Sequence, residues 1–207
     1  MSSISQRSSD AAAASVLAAH ASGRRIAELR VDGFRVQAAF TVDEVEAQRR
    51  SDAGLSAVTN TGLLHALWTL PEGEDLPLGV LDAIDADTLS TLGVGTVEIQ
   101  AEVVRRTYRP VATVHAVACA GRSPHSLLRT LVAFPPIFDR FAVLSASQVL
   151  DTADLDSARA GGIGIVRYDG STAEIVEAPA KVLGRPAVYR WWIAELAYRD
   201  YLANCDH

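Results

Sequence analysis

One stretch, Thr96–Ser145, constrains the fold most, because its hydrophobic pattern passes from strand to helix periodicity and back. Residues Thr96–Val104 alternate apolar and polar side chains, as in a strand with one buried face. Residues Val111–Ala120 are apolar almost throughout, which predicts a central strand covered on both faces. The rest of the stretch predicts a helix and a third strand, over Pro124–Phe134 and Phe141–Ser145. This order predicts an α/β fold with a central mixed sheet flanked by helices.

The segment before this stretch predicts a disordered tail, a helix and a β-hairpin. Residues 1–8 are rich in serine and predict disorder, and residues 9–21 are rich in alanine and predict a helix. Because this helix offers little apolar area to bury, we expect it to be mobile or to dock on a partner. Residues Ile26–Phe40 alternate in strand fashion on both sides of Asp32-Gly33, a pair that favours tight hairpin turns.

Further elements follow from capping and spacing signals. Thr41 and Glu44 form a capping box at the start of a helix. Residues Thr61–Leu70 have a helical apolar spacing, whereas Leu76–Ile84 fits either a strand or a helix. A short helix, a strand, a second hairpin turn and another strand are predicted over Asp154–Ala160, Ile163–Val166, Asp169-Gly170 and Ala173–Val176.

The C-terminal helix, predicted over Pro186–Leu202, is rich in aromatic residues. Glu195 and Arg199 stand one turn apart, which predicts an ion pair on its polar side. Trp191 and Trp192 are adjacent and therefore point to different faces, so at most one of them enters the core. Because tryptophan is enriched at binding hot spots, this helix is the candidate interface with a partner.

At 207 residues and 49% apolar content, the chain fits one ordinary domain with appendages. The signals divide it into four segments. These are a disordered tail at 1–8, a helix, hairpin and helices at 9–75, an α/β core at 76–178 and a C-terminal helical extension at 179–207.

Charge is unevenly distributed along the chain, whose net charge is −6. Residues 51–104 contain acids but neither lysine nor arginine, and the predicted turn Arg105–Pro110 then brings several arginines. A change of sign can mark a binding face. We therefore take three arginines as candidate contacts to a partner or to phosphate groups: Arg105, Arg106 and Arg109.

Cysteine content and hydropathy bear on the compartment. Cys119 and Cys205 are far apart in the sequence, which fits a reduced cytoplasmic protein better than a disulfide scaffold. The chain has no apolar run of about 20 residues, so we expect no membrane-spanning helix and no membrane partner.

The elements from Glu98 to Ser145, with the run from Gly162 to Gly170, resemble the PD-(D/E)xK nuclease-like superfamily over residues 76–178. The run Ser126–Leu144 is similar to the helix and strand that follow the metal-site strand in that superfamily. The resemblance implies Mg²⁺ held by acids on two strands, with a lysine that helps to activate water.

Mapped by this resemblance, the first acid is Glu102 and the second falls near His115 or Ala116. The lysine falls near Val117 or Ala118, but the strand contains neither a carboxylate nor a lysine. The resemblance therefore implies a domain that has lost catalysis and works by binding, with no cofactor unless it retains Mg²⁺. A lone histidine in an apolar strand is more often a core residue than a ligand. We expect a protein partner or self-association, with nucleic acid as an indirect client.

Two alternatives stay open. The strand pair around Glu98 and His115 is also similar to hot-dog-fold acyl-CoA thioesterases. In that fold Thr61–Leu70 is the central helix and Leu127–Phe134 is a strand, so the structure of residues 124–134 discriminates between the two folds. The other alternative is an active metal-dependent nuclease whose acids come from elsewhere, namely Asp85 or Asp87 with Glu98 or Glu102.

Overall fold

The computed structural model describes residues 2–31, 33–81, 89, 91–92, 95–134, 136–180 and 188–205, with residues 2–8, 80 and 205 described by their backbone alone. These residues form two compact units, one from Met1–Thr41 with Val114–Arg185 and one from Val42–Thr113 with Pro186–His207. The described part contains six α-helices, a six-stranded sheet and a three-stranded sheet. The predicted mixed α/β class is confirmed.

The helices in chain order are α1 (Ser2–His20), α2 (Glu44–Asp52), α3 (Thr61–Thr69), α4 (Pro124–Val132), α5 (Thr152–Gly161) and α6 (Val188–Cys205). The strands are β1 (Arg25–Val31), β2 (Phe34–Val42), β3 (Asp75–Pro77), β4 (Val97–Gln100), β5 (Val103–Arg106), β6 (Ala112–Ala120), β7 (Asp139–Ser145), β8 (Gly164–Tyr168) and β9 (Ala173–Glu177). No helix among the described residues is both long and apolar enough to cross a membrane.

The larger sheet has the strand order β1-β2-β6-β7-β8-β9. Strands β6, β7 and β8 are parallel, with Ala118 opposite Phe141 and Phe141 opposite Gly164, and β9 closes the edge antiparallel to β8. Gly164 is required at its position, because a Cβ atom there would lie 2.9 Å from the Phe141 ring. The predicted strand–helix–strand core, the short helix after it and the second hairpin are therefore confirmed.

Helix α4 decides between the two folds considered for residues 124–134. Its first turn is held by Ser123, whose hydroxyl accepts a hydrogen bond from the Ser126 amide, with Pro124 at the first helical position. The side chains of Leu127 and Leu131 are buried one turn apart. A hot-dog fold needs a strand over Leu127–Phe134, and this prediction is wrong because the segment begins as a helix. The apolar spacing at i and i+4 matches a helix.

Two predictions for α1 are wrong. The helix begins at Ser2, so residues 2–8 of the predicted tail at 1–8 are helical, since no glycine or proline interrupts extension from the alanine-rich turns. The helix was also expected to be mobile or to dock on a partner, but one of its faces packs on the sheet of its own unit. The buried side chains on this face are Ala13, Val16, Leu17 and Ala21. At its C-terminal end, His20 Nε2 lies 3.2 Å from an Asp139 carboxylate oxygen.

The first hairpin is confirmed by the register of β1 and β2, in which Val31 pairs with Phe34. This pairing leaves room for a two-residue turn, and Gly33 has a positive φ of 82°. Asp32 itself lies outside the described residues. Glycine meets the conformational requirement at this turn without the steric cost of a Cβ atom.

In the second unit, the strand predicted over Thr96–Val104 is wrong, because the chain reverses in the middle of it. Strands β4 and β5 form an antiparallel hairpin in which Val97 pairs with Arg106, and the sheet order is β3-β5-β4. Ala101 in the turn has a positive φ of 55°. The alternating pattern continues through the reversal, so it gives no signal of the turn. The predicted basic turn at Arg105–Pro110 accordingly begins inside β5.

Helix starts in this unit also differ from the capping prediction. Strand β2 continues through Val42, and the cap of α2 is Asp43 rather than Thr41, because its carboxylate accepts from the Val45 and Glu46 amides. Helix α3 is confirmed and is capped by Asn60. The undecided segment Leu76–Ile84 forms the end of β3 and a 3₁₀ turn over Leu78–Val80, and its last residues lie outside the described chain.

Candidate functional site

A pocket opens at the carboxyl edge of the parallel strands in the first unit. Its volume is about 850 Å³, and its walls come from the loops that follow β6, β7 and β8 together with α1. In open α/β sheets this edge is where ligands bind. The apolar residues that line the pocket include Ala12, Ala120, Val143 and Leu144, and the polar ones include Arg122, Ser145, Ser147, Gln148 and Asp169.

Hydrogen bonds between the loops fix the rim of this pocket. The Gln148 side-chain amide donates to the Arg122 carbonyl, while its oxygen accepts from the Ser145 amide at 3.1 Å. The hydroxyls of Ser145 and Ser147 are 3.0 Å apart. One glutamine therefore joins the backbone of the loop after β6 to the backbone of the loop after β7.

The third loop is organised by Asp169. Its carboxylate accepts four hydrogen bonds, from the amides and the hydroxyls of Ser171 and Thr172. These hydrogen bonds hold the pKa of the Asp169 carboxyl well below its usual range, and the bonds from Thr172 have the largest effect. The Tyr168 hydroxyl donates to the Gly170 carbonyl at 2.8 Å. Asp169 thus shapes the turn with its oxygens already engaged.

The positions mapped from the nuclease resemblance are not brought onto neighbouring strands. Glu102 lies in the turn between β4 and β5 of the three-stranded sheet, whereas His115 lies on β6 of the six-stranded sheet. His115 is half-buried, and its Nε2 is 3.0 Å from the Thr41 hydroxyl. Within the described residues, no three His, Cys, Asp or Glu side chains are grouped to hold a metal ion. Asp85, Asp87 and Lys181 lie outside the described residues.

The three candidate arginines have partners within the second unit. Arg105 makes a two-point contact with Asp75, with Nε and Nη2 at 2.5 and 2.9 Å from the carboxylate oxygens. Arg106 is buried and its guanidinium lies over the Trp191 ring, 4.9 Å from the centroid. Arg109 donates to Glu46 at 3.2 Å. Each of these guanidinium groups thus has a structural contact.

Of the two tryptophans, Trp191 enters the core of the second unit and Trp192 remains half-buried, as expected for adjacent positions on a helix. Trp191 packs edge to face against Trp68 and at a tilt against Tyr108. Its indole ring is therefore a packing element of this unit. The interface predicted on this helix is not carried by Trp191.

A buried charge cluster, made of Arg50, Glu46 and Glu195, joins α2 to α6 in the second unit. Arg50 donates to both oxygens of Glu195 at 3.0 and 3.1 Å, and to Glu46 at 3.2 Å. All three side chains are at most 1% exposed. The predicted exposed pair of Glu195 with Arg199 is therefore wrong, because Glu195 faces the core and Arg199 faces solvent.

The surroundings of this cluster keep Arg50 charged. The Arg50 guanidinium lies over the Tyr108 ring, 4.3 Å from its centroid, and donates to the Arg109 carbonyl. Burial alone would lower the pKa of Arg50, but the hydrogen bonds and charge of Glu195 hold it above its ordinary value. Burial raises the pKa of the Tyr108 hydroxyl, and the charge of Glu195 adds to this effect.

The charge cluster predicts a loss of stability in acid. Burial would raise the pKa of Glu46, but hydrogen bonds from Arg49 and Arg50 hold it below its ordinary value of 4.5. Because the folded-state pKa is depressed, the stabilisation is complete above about pH 4.5 and is lost as the pH falls below it. We expect unfolding by urea, followed between pH 7 and pH 3, to show this loss. Glu46→Gln should have a flatter profile, and an unchanged slope in that variant would contradict the assignment.

Cys119 is buried on β6, with its Sγ 3.6 Å from the Arg35 carbonyl. Burial raises the pKa of this thiol to about 12, so that it is protonated at neutral pH. A thiol in this state is a poor nucleophile and a poor metal ligand. Cys119 is therefore a core residue of the sheet.

No protein-family model, curated protein or solved structure matches the chain. The pocket residues on the loops after β6 and β7 were not selected from the sequence. A usable signal was present: polar residues directly follow two predicted strands that a predicted helix connects, an order typical of parallel strands. The rule that ligands bind at the carboxyl ends of such strands would have pointed to Arg122, Ser145 and Ser147.

Proposed function

We propose that this chain is a binding protein without catalytic activity of its own, and that its ligand is a small polar molecule held in the pocket at the carboxyl edge of β6, β7 and β8. One observation carries the proposal: a cavity of about 850 Å³ lies where three consecutive parallel strands end, and all three following loops line it. Pockets of this volume at this place in α/β sheets suit small-molecule ligands.

The make-up of the pocket supports binding rather than catalysis. Among the described residues that line it there is no histidine, cysteine or lysine that could activate a serine hydroxyl as a nucleophile. Gln148 and Asp169 serve in fixing the loops. A lining of apolar residues with a small number of polar groups is the usual composition of a recognition site.

A ligand screen with a blocking variant tests the location of the site. Ala12 lines the pocket from α1 and is half-buried, so Ala12→Phe should fill the cavity. We expect mixtures of small polar metabolites to shift the amide NMR signals of Gly121, Ser147 and Gly170 in the wild type and not in this variant.

Ala11→Phe is the matched control, because Ala11 is the exposed neighbour on the same helix. This variant should retain the shifts, provided that its spectrum and thermal stability match the wild type. Shifts that persist in Ala12→Phe, or that map to the three-stranded sheet, would refute the proposed location. A screen in which no compound shifts the pocket signals of the wild type would count against the proposed function as a whole.

The non-catalytic part of the proposal is tested against the metal-dependent nuclease alternative. We expect no cleavage of DNA or RNA by the purified protein with Mg²⁺ or Mn²⁺. Cleavage that is abolished by Glu102→Ala would restore the nuclease assignment. The partners of Arg105, Arg106 and Arg109 support the expectation, because phosphate binding would have to compete with contacts within the protein.

A further inference from the structure

We propose that the ligand of this pocket is a neutral molecule with several hydroxyl groups, a sugar or a polyol, and that the Ser145–Ser147 hydroxyl pair recognises one of these groups. The inference rests on the proposed function, since it names the ligand class of the same site. It follows from a comparison of the polar groups in the lining, some of which are occupied within the protein while others retain capacity for hydrogen bonds.

Both charged side chains among the described lining residues already interact within the protein. Asp169 accepts four hydrogen bonds from Ser171 and Thr172 in its own turn. Arg122 also has an interaction with another part of the chain. A charged ligand would have to compete with these contacts, and the two side chains have opposite signs. The lining therefore favours neither an anion nor a cation, which points to a ligand without net charge.

Most neutral polar side chains of the lining are occupied as well. The Gln148 amide has a backbone partner at each of its two polar atoms. The Tyr168 hydroxyl donates to a carbonyl of its own turn, and Ser9 on α1 also interacts within the protein. The hydroxyls of Ser145 and Ser147 differ from these groups, because their contacts with the described residues use only part of their hydrogen-bonding capacity.

The hydroxyl pair can both donate and accept. Its two oxygens are 3.0 Å apart and either hydroxyl can be the donor, so one hydroxyl proton of the pair is left over. The Ser147 oxygen also keeps at least one lone pair, whichever hydroxyl donates. A ligand carbonyl or ammonium uses one of these capacities, whereas a ligand hydroxyl accepts the proton and donates to the lone pair. Three hydroxyls joined in this way form a ring whose hydrogen bonds strengthen one another.

The place of the pair in the pocket suits a ligand of this class. Ser145 ends β7, the middle one of the three parallel strands, and Ser147 lies in the loop that follows. The apolar lining residues Ala12, Ala120 and Val143 match the C–H groups that a sugar or polyol carries beside its hydroxyls. A cavity of about 850 Å³ has room for such a molecule.

Amide NMR titrations of the full chain with five small probes test the inference. Glucose and myo-inositol carry hydroxyls without charge, and acetate, methylammonium and acetamide are the anionic, cationic and neutral probes without hydroxyls. We expect saturable shifts at Gly121, Ser145 and Ser147 with glucose or myo-inositol at constant ionic strength. Binding of any of the other three probes as tightly as these two would overturn the inference.

Two serine variants provide the matched comparison. Ser147→Ala should weaken binding of the effective polyol about fivefold, the usual result of losing a hydrogen bond between neutral groups. Ser126→Ala makes the same change at an exposed serine of α4 that does not line the pocket, and it should leave the affinity unchanged. Thermal unfolding should match the wild type in both variants. An affinity that is unchanged in Ser147→Ala would overturn the assigned role of the pair.

The outcomes separate this inference from the proposed function. If the metabolite screen finds ligands that Ala12→Phe blocks, and all of them are charged or lack hydroxyls, the pocket is a binding site but not for this class. If neither glucose nor myo-inositol shifts the pocket signals of the wild type, the inference is overturned. The metabolite screen then decides independently whether the pocket binds any ligand.

Discussion

Arg50→Met is expected to lower the free energy of unfolding by about 3–5 kcal/mol, the usual result of removing one partner from a buried ion pair. Glu195 is fully buried, and Arg50 supplies two of its hydrogen bonds. Without Arg50 it keeps the hydrogen bond from the Val58 amide at 3.0 Å, which brings no positive charge. Glu46 is less affected, because Arg49 lies 2.7 Å from its carboxylate. The cost therefore comes from a carboxylate left in the core without its counter-charge.

A second variant separates this explanation from simple loss of packing. When Glu195 is also replaced, as in Arg50→Met with Glu195→Leu, roughly half of the lost stability should return, because no unpaired charge is left at that site. We expect the double variant to be more stable than Arg50→Met by about 2 kcal/mol, a coupling typical of contacting residues. Urea unfolding of the single and double variants measures it.

Arg105→Met is the matched control for the same chemical change. Arg105 also has an acidic partner, Asp75, but both side chains are about half exposed. An exposed pair contributes at most about 1 kcal/mol, so this variant should unfold close to the wild type. If Arg105→Met cost as much as Arg50→Met, burial would not be the reason for the effect. If the double variant were less stable than either single one, the charge cluster would be contributing net stability.

Periodicity predicted those parts of the fold whose information is local. Val111–Ala120, Pro124–Phe134 and Phe141–Ser145 were identified because a covered strand and an amphipathic helix each impose a repeat on consecutive residues. The turn at Ala101 was missed for the same reason, since alternation continues across it. Local pattern therefore gives the element type where the repeat changes, and it fails where the chain reverses without a change of repeat.

Long-range pairing explains the other misses. Glu195 has an arginine one turn away, which is typical of an exposed helix face, yet its partner Arg50 is 145 residues distant in sequence. The pocket residues come from three separate loops that only the parallel register of β6, β7 and β8 brings together. Such residues carry no joint signal in one sequence, although the carboxyl-edge rule narrows the search once the parallel strands are predicted.

Arg140→Met is expected to destabilise the first unit by about 3–5 kcal/mol, because it removes a buried charged donor that reaches the C-terminal ends of two helices, α4 and α5. Arg140 is 3% exposed and donates to the carbonyls of Phe134 at 2.8 Å and Leu131 at 3.3 Å, and also to that of Gly161. The Leu131 carbonyl keeps the hydrogen bond from the Phe134 amide, so the carbonyls of Phe134 and Gly161 are the ones that lose their donor. Each carbonyl left unsatisfied in the interior costs about 1–3 kcal/mol. Burial lowers the pKa of this guanidinium, and the carbonyls at the ends of α4 and α5 offset its charge.

Two further variants make the explanation specific. Arg140→Lys retains the charge but not the planar fork, so it should satisfy fewer of the three carbonyls and lose roughly half as much stability. Arg129→Met, on the exposed face of α4, should change stability by no more than about 0.5 kcal/mol. Hydrogen exchange should be fastest in Arg140→Met at the C-terminal turns of α4 and α5. Equal stability of Arg140→Met and Arg129→Met would show that these carbonyls are satisfied without Arg140, for example by water.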